Sequence, residues 1–172
     1  MQCRILFFVL PMKECSVFVD NIDILIVEDN RTDAELILEA LQGMGIGDKV
    51  RAIHDGVEAL DYFFGPEGFL KKADVHLPKL LILDLKLPKV SGLEILKRIK
   101  SDTRTMHVPT VIFTSSSEWQ DRIESYKLGA NSYVVKPLDA DMFSRYVHDI
   151  GEYWLSINTT IYDGGPTRVR QK

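Results

Sequence analysis

The sequence predicts an α/β protein, a single doubly wound (βα)5 domain built on a five-stranded parallel sheet. Three observations predict it. Five short apolar runs alternate with five stretches of helical periodicity, the pattern of strands covered on both faces through right-handed crossovers. The central run, Leu80-Leu-Ile-Leu83 between Pro78 and Pro88, is apolar without alternation, as a strand buried on both faces must be, although periodicity alone leaves a short buried helix open there. Polar residues collect at the carboxyl ends of the runs, the edge at which open α/β sheets bind ligands.

A chain of 172 residues with 45% hydrophobic content buries one core and is too short for two ordinary domains. The domain is placed at residues 22–155, between a leader (1–21) and a tail (156–172). The apolar stretch from Ile5 to Leu10 falls far short of the roughly 20 residues that span a bilayer, and no small-residue cleavage site follows it. The leader therefore reads as disordered or as an overlong start, with Met12 an alternative start. Basic residues number 21 against 25 acidic ones and crowd only at Arg168, Arg170 and Lys172, so neither nucleic acid nor membrane is an expected partner. Two cysteines, Cys3 and Cys15, make neither a disulfide framework nor a zinc site, and a reducing cytoplasm is the expected location.

The first strand is Asp23 to Val27, β-branched and ending in Glu28-Asp29-Asn30. Ala34, Ile37, Leu38, Leu41 and Met44 recur at three and four, predicting a helix over 32–44 that is capped by Asn30 or Thr32 and ends at Gly45 or Gly47. Lys49 to Ile53 is the second strand, His54-Asp55-Gly56 turns, and a helix follows with Val57, Leu60, Phe63 and Phe64 on one face. Residues 65–79 read as a surface loop. After the central strand, Gly92 to Ser101 is helical, with Leu93, Ile95, Leu96 and Ile99 apolar. Pro109 to Phe113 is the fourth strand, and Thr114-Ser-Ser-Ser117 both lines the strand end and caps a helix from near Glu118 to about Leu128. Asn131 to Val135 is the fifth strand. Lys136-Pro137 follows, and Asp139 caps a last helix with Met142, Phe143, Tyr146, Val147 and Ile150 facing inward.

Glu28, Asp29, Asp84, Thr114 and Lys136 all end strands, so a parallel sheet brings them to one edge. Each alone is ordinary: a strand-terminal Asp often caps a helix, an acidic pair is often a solvated turn, and a Lys before Pro is often surface. Together they suit a phosphorylated carboxylate. A carboxylate can act as nucleophile, neighbouring acids can hold a hard divalent cation such as Mg²⁺, a lysine supplies a point charge, and a threonine hydroxyl donates to a phosphoryl oxygen. That chemistry centres on Asp84.

Over residues 23 to about 152 the chain resembles the receiver domains of bacterial two-component response regulators. The stretches that carry the resemblance are Ile24-Leu-Ile-Val-Glu28-Asp29-Asn30, Leu81-Ile-Leu-Asp84-Leu-Lys-Leu-Pro88, Thr110-Val-Ile-Phe-Thr114-Ser and Gly129-Ala-Asn-Ser-Tyr133-Val-Val-Lys136-Pro137. It implies a flavodoxin-like strand order, 2-1-3-4-5, and a phosphoacceptor rather than a turnover enzyme. It further implies that Asp84 accepts a phosphoryl group from a sensor histidine kinase. Asp29, Asp84 and the Lys86 backbone carbonyl would hold Mg²⁺ with help from Glu28. Lys136 would pair with the phosphoryl group, Thr114 would move to bind it, and Tyr133 would change rotamer as the switch. Glu28 stands where the family more often has Asp, which bears on metal geometry, and the Lys86 side chain bears on phosphoryl hydrolysis.

The loop before the central strand and the ending Ile150-Gly-Glu-Tyr153-Trp154-Leu resemble the stand-alone regulators that partner phytochrome-type histidine kinases. Tyr153 and Trp154 are equally read as sealing the core. The residues after Leu155 are too few for a helix-turn-helix, so output is expected through protein contacts, with a homodimer through the fourth helix, fifth strand and fifth helix near Tyr126, Tyr133 and Tyr146. An aspartyl-phosphate phosphatase typically has a second acid two residues after the nucleophile, where this chain has Lys86. A nucleotide site would need glycine where Glu28-Asp-Asn stands. An unphosphorylated docking module is the remaining alternative, and Mg²⁺ affinity discriminates it.

Overall fold

The computed structural model describes residues 22–66, 68 and 77–160. The leader, most of the loop before the central strand and the tail beyond residue 160 lie outside the described residues. The elements are β1 (Ile24–Val27), α1 (Arg31–Gln42), β2 (Val50–Ile53), α2 (Gly56–Phe64), β3 (Leu80–Leu83), α3 (Gly92–Ser101), β4 (Thr110–Thr114), α4 (Trp119–Lys127), β5 (Ser132–Val135) and α5 (Ala140–Glu152). All strand pairings are parallel and the sheet order is β2-β1-β3-β4-β5, the flavodoxin-like order expected.

The uniform hydrophobicity of β3 has a simple cause. Side chains of a strand alternate between faces. Leu81 and Leu83 enter the layer formed with Phe63 of α2 and Ile95, Leu96 and Ile99 of α3, while Leu80 and Ile82 enter the layer formed with Ile37 and Leu41 of α1 and Phe143 and Val147 of α5. Both layers are lined by apolar side chains, so neither parity of residue can be polar without a partner. Each large apolar side chain buried in them contributes about 1.5–3 kcal/mol of transfer free energy.

The helices begin where the sequence supplies an oxygen. Asn30 caps α1, its side chain accepting from the backbone N–H groups of Thr32 (3.0 Å) and Asp33 (3.3 Å), which settles the choice between Asn30 and Thr32. Ser91 and Glu94 form a reciprocal capping box on α3, and Asp139 caps α5 as expected.

Several boundaries and faces differ from expectation. Helix α1 stops at Gln42 rather than running to residue 44, and Gly45, at φ 77, makes the reversal that follows it. Lys49 belongs to a 3₁₀ turn, Gly47–Lys49, and not to β2. Val57 and Met142 are exposed, because the buried face of α2 is centred on Ala59 and Phe63 and that of α5 on Phe143 and Val147. Beyond α5 a π-helical turn, Tyr153–Ile157, buries Trp154 in the layer beside α1 and leaves Tyr153 exposed, the two rings perpendicular with centroids 5.1 Å apart. Trp154 thus seals the core, and Tyr153 does not.

Candidate functional site

The sheet's hydrogen bonding continues one residue past β1, β3 and β5 and so aligns their ends. Val27 stands opposite both Ile53 and Leu83, the Glu28 N–H donates to Ile53 O (2.9 Å), and the Asp84 N–H donates to Val27 O (3.0 Å). On the other side Thr114 pairs with Val135, and the Lys136 N–H donates to Thr114 O (2.8 Å). Glu28, Asp84, Thr114 and Lys136 meet at one edge as their positions in the sequence predict.

Their side chains form a compact ionic cluster. The Lys136 ammonium, whose side chain is 7% exposed, donates to Glu28 Oε2 at 2.5 Å, Asp84 Oδ2 at 2.8 Å and Asp33 Oδ2 at 2.8 Å. Asp84 Oδ1 accepts from the Lys86 N–H (3.1 Å), and Glu28 Oε1 accepts from the Asn30 N–H (3.2 Å). A ring nitrogen of His54, Nδ1, lies 2.8 Å from Glu28 O and ties the end of β2 to the same backbone. Glu28, Asp84 and Thr114 are buried, whereas Asp29 and Lys86 are exposed.

The electrostatics separate the two buried acids. Burial pushes the Glu28 carboxyl up to about 7, because its contact with Lys136 offsets the loss of water only in part. Burial acts the same way on Asp84, but there the Lys136 ammonium, the Thr114 hydroxyl and the Lys86 N–H outweigh it and hold the carboxyl below its ordinary range. Lys136 loses hydration too, yet its three carboxylate partners keep it firmly protonated. Asp84 is therefore an ionised carboxylate beside a fixed cation, the state a nucleophilic oxygen requires.

Carboxylate oxygens of Glu28, Asp29 and Asp84 lie within 4.8 Å of one another, so the cluster can hold a divalent metal ion. The donor set is all oxygen, which suits a hard cation.

The loop after Asp84 is braced from both sides. A Cβ on Gly92 would stand 2.1 Å from Asp84 O, and one on Gly56 would stand 2.2 Å from Val90 O, so two glycines let α3 and α2 close on this loop. Within it Lys89 adopts φ 66 and pairs with Asp55, the cap of α2.

Tyr133 donates from its hydroxyl to Ser116 O (3.0 Å), and Ser116 Oγ donates to Asp121 Oδ2 (2.5 Å) and accepts from the Glu118 N–H (3.4 Å). The expected hydroxyl cap of α4 does not form: Glu118 is the N-cap and no side chain caps the helix, and Ser116 Oγ accepts from the Glu118 N–H just ahead of it. Its neighbour Arg122 lies 5.7 Å over the Tyr133 ring and 5.9 Å over that of Trp119. Tyr146 packs half-buried against the α1–α5 layer and Tyr126 is exposed.

Two participants were not anticipated, Asp33 and His54, whereas Ser116 belongs to the hydroxyl cluster expected to line the strand end. Asp33 carried a signal, since it lies four residues after Asp29 in the first turn of an expected helix. His54 acts through a backbone carbonyl and carried none.

Residues 24–148 match the family described as the response regulator receiver domain. The chain is 40% identical over 139 residues to the probable methanogenesis regulatory protein FilR2 of Methanothrix harundinacea, covering 81% of this chain and 87% of that one. Among solved structures it is similar to the phosphorylated cyanobacterial phytochrome response regulator RcpA, with a TM-score of 0.73 and 38% identity over 80% of this chain and 96% of that one. It is also similar to the Mn²⁺-bound form of response regulator Rcp1, with a TM-score of 0.71 and 33% identity over the same shares; Rcp1 is a protein of Synechocystis.

Proposed function

The chain belongs to the response regulator receiver domain family, and from that premise we propose that residues 22–155 are a phosphoacceptor whose Asp84 takes a phosphoryl group from a sensor histidine kinase. The observation that carries this reading is the ionised Asp84 carboxylate held at 2.8 Å by Lys136, with Glu28 and Asp29 oxygens within 4.8 Å. An oxygen of Asp84 attacks phosphorus, the bond from phosphorus to the kinase's histidine nitrogen breaks, and the imidazole leaves with the electron pair. The domain supplies a group that is modified and is not a turnover enzyme.

Glu28, Asp29, Asp84 and the Lys86 backbone carbonyl would hold Mg²⁺, which neutralises phosphoryl charge. Lys136 then gives an N–H to a phosphoryl oxygen in place of Asp84. The Thr114 hydroxyl, beside Asp84, turns to another, and Tyr133 follows through its bond to Ser116 in the β4–α4 loop. A phosphoryl group thereby biases a two-state loop, because Thr114 and Lys136 gain a partner in one state only.

The partner kinase is taken to be phytochrome-type, on the likeness to RcpA, which is itself a phytochrome response regulator. Output passes through protein contacts, with a homodimer across α4, β5 and α5 favoured by exposed Trp119 and Tyr126 on that side. No helix among the described residues is long and apolar enough to cross a membrane, and the domain is assigned to the cytoplasm.

The test is the intact mass of the purified chain after acetyl phosphate, with and without Mg²⁺, beside Asp84→Asn. A Mg²⁺-dependent phosphoryl adduct absent from the variant is expected. No adduct under any condition would overturn the reading.

A further inference from the structure

We propose that Asp33 is a positioning residue that competes with the phosphoryl group for Lys136 and so restrains phosphorylation of Asp84; this rests on the function proposed above. An ammonium has three N–H donors, and those of Lys136 face three carboxylates, Glu28, Asp84 and Asp33. Two of the three belong to the set of oxygens able to hold a metal ion; Asp33 does not. A cation held among Glu28, Asp29 and Asp84 would offset the charge of those acids but not that of Asp33.

Its placement is built in. Asp33 sits in the first turn of α1, fixed there by the Asn30 cap that accepts from its own N–H. Its side chain is 25% exposed, against 2% for Glu28 and 5% for Asp84, so of the three carboxylates it is the one nearest to solvent. It lines a cavity with Leu36, Ser115, Lys136, Pro137 and Leu138 that opens beside the cluster. The oxygens of Asp33 and Asp84 that share Lys136 are no farther apart than two 2.8 Å bonds laid end to end.

Two consequences have the same sign. A phosphoryl donor is an anion and meets the Asp33 carboxylate as it approaches. Once transferred, the phosphoryl group must draw Lys136 toward itself while Asp33 pulls the same ammonium toward α1. Neutralising Asp33 removes the repulsion and weakens the pull, and Asp33→Asn does so with little change of shape, since the amide oxygen can still accept from Lys136. At separations of this kind a partly screened unit charge alters a rate by about three- to tenfold.

The experiment follows the phosphoryl adduct by intact mass in acetyl phosphate at saturating Mg²⁺, for the full chain and for Asp33→Asn and Asp33→Glu, at low and high ionic strength. The expected result is that Asp33→Asn gains the adduct about three- to tenfold faster, that the charge-keeping Asp33→Glu shows the smaller acceleration of the two, and that the gap narrows in high salt. A structural role alone would produce neither the salt dependence nor the difference between Asn and Glu. An Asp33→Asn rate at or below that of the unaltered chain would overturn the proposal, and should that variant not fold, Asp33→Ser carries the same expectation. An adduct on the unaltered chain with no acceleration in the variants overturns this inference alone; no adduct on the unaltered chain overturns the function on which it rests as well.

Discussion

Lys136 reaches Asp84 at 2.8 Å across strand β4, which separates the two strands that deliver them. No neighbouring-strand contact makes this bond; the length of the lysine side chain does, carried over buried Thr114. The bond joins residues 52 positions apart and closes the carboxyl edge of the sheet.

Removing that cation leaves Glu28 and Asp84 buried without their counter-ion. Lys136→Met should destabilise the metal-free domain by about 3 kcal/mol near pH 8, the cost typical of breaking a buried pair. The loss should shrink toward pH 5 as Glu28 takes a proton. Urea unfolding of both proteins at the two pH values checks this, and equal stability at pH 8 would refute it.

Glu28 gives the metal-free protein a distinctive pH dependence. Its carboxyl is raised to about 7 in the folded state from 4.5, so between those values the folded state binds more protons than the unfolded one. Stability contributed by Glu28 must rise as pH falls from 7 toward 4.5, by on the order of 3 kcal/mol at most. Glu28→Gln should flatten that slope in denaturant titrations, and divalent cation affinity of the unaltered chain should weaken below pH 7, because a bound cation needs Glu28 ionised.

Asp29 separates metal binding from folding. It is exposed, so Asp29→Asn should change metal-free stability by less than about 0.5 kcal/mol. Addition of Mg²⁺ or Mn²⁺ should raise the melting temperature of the unaltered chain through binding to the folded state, and Asp29→Asn should lose most of that rise. A melting curve with and without EDTA reads both. An undiminished rise in the variant would remove Asp29 from the metal-holding set.

Gly92 has no room for a side chain beside Asp84. A Cβ would meet Asp84 O at 2.1 Å and the Leu85 Cα at 2.7 Å, both backbone atoms. Gly92→Ala should therefore cost about 1–3 kcal/mol through forced backbone shifts and displace the Asp84 carboxyl as well. Thermal unfolding together with the acetyl phosphate mass assay separates the two effects, and a variant as stable as the original would contradict the close approach.

Much of this site was legible in the chain, and the reason is local. A strand buried on both faces must be apolar at every position, so Leu80 to Leu83 declared itself, and the residue that ends such a strand must stand at the sheet edge, so Asp84, Thr114 and Lys136 could be placed without knowing their neighbours. Turn and cap chemistry is equally local: Asp139 lies within four residues of what it bonds. Faces of short helices were less legible. Val57 and Met142 fit an apolar stripe by spacing, yet each lies at the margin of its stripe and is exposed.

By itself, then, the sequence determined the alternation of strands and helices, their parallel pairing and which polar residues end the strands. Only the tertiary structure decided which of those residues touch. Asp33 and Lys136 lie 103 positions apart, and Glu28 and Lys136 lie 108 apart. Whether such groups bond depends on strand register, on where α1 is seated by Asn30 and on the reach of a lysine side chain to a tenth of a nanometre. Hydrophobic periodicity carries the first kind of information because burial is a property of each residue; an ion pair is a property of two, and it exists only once both have been placed.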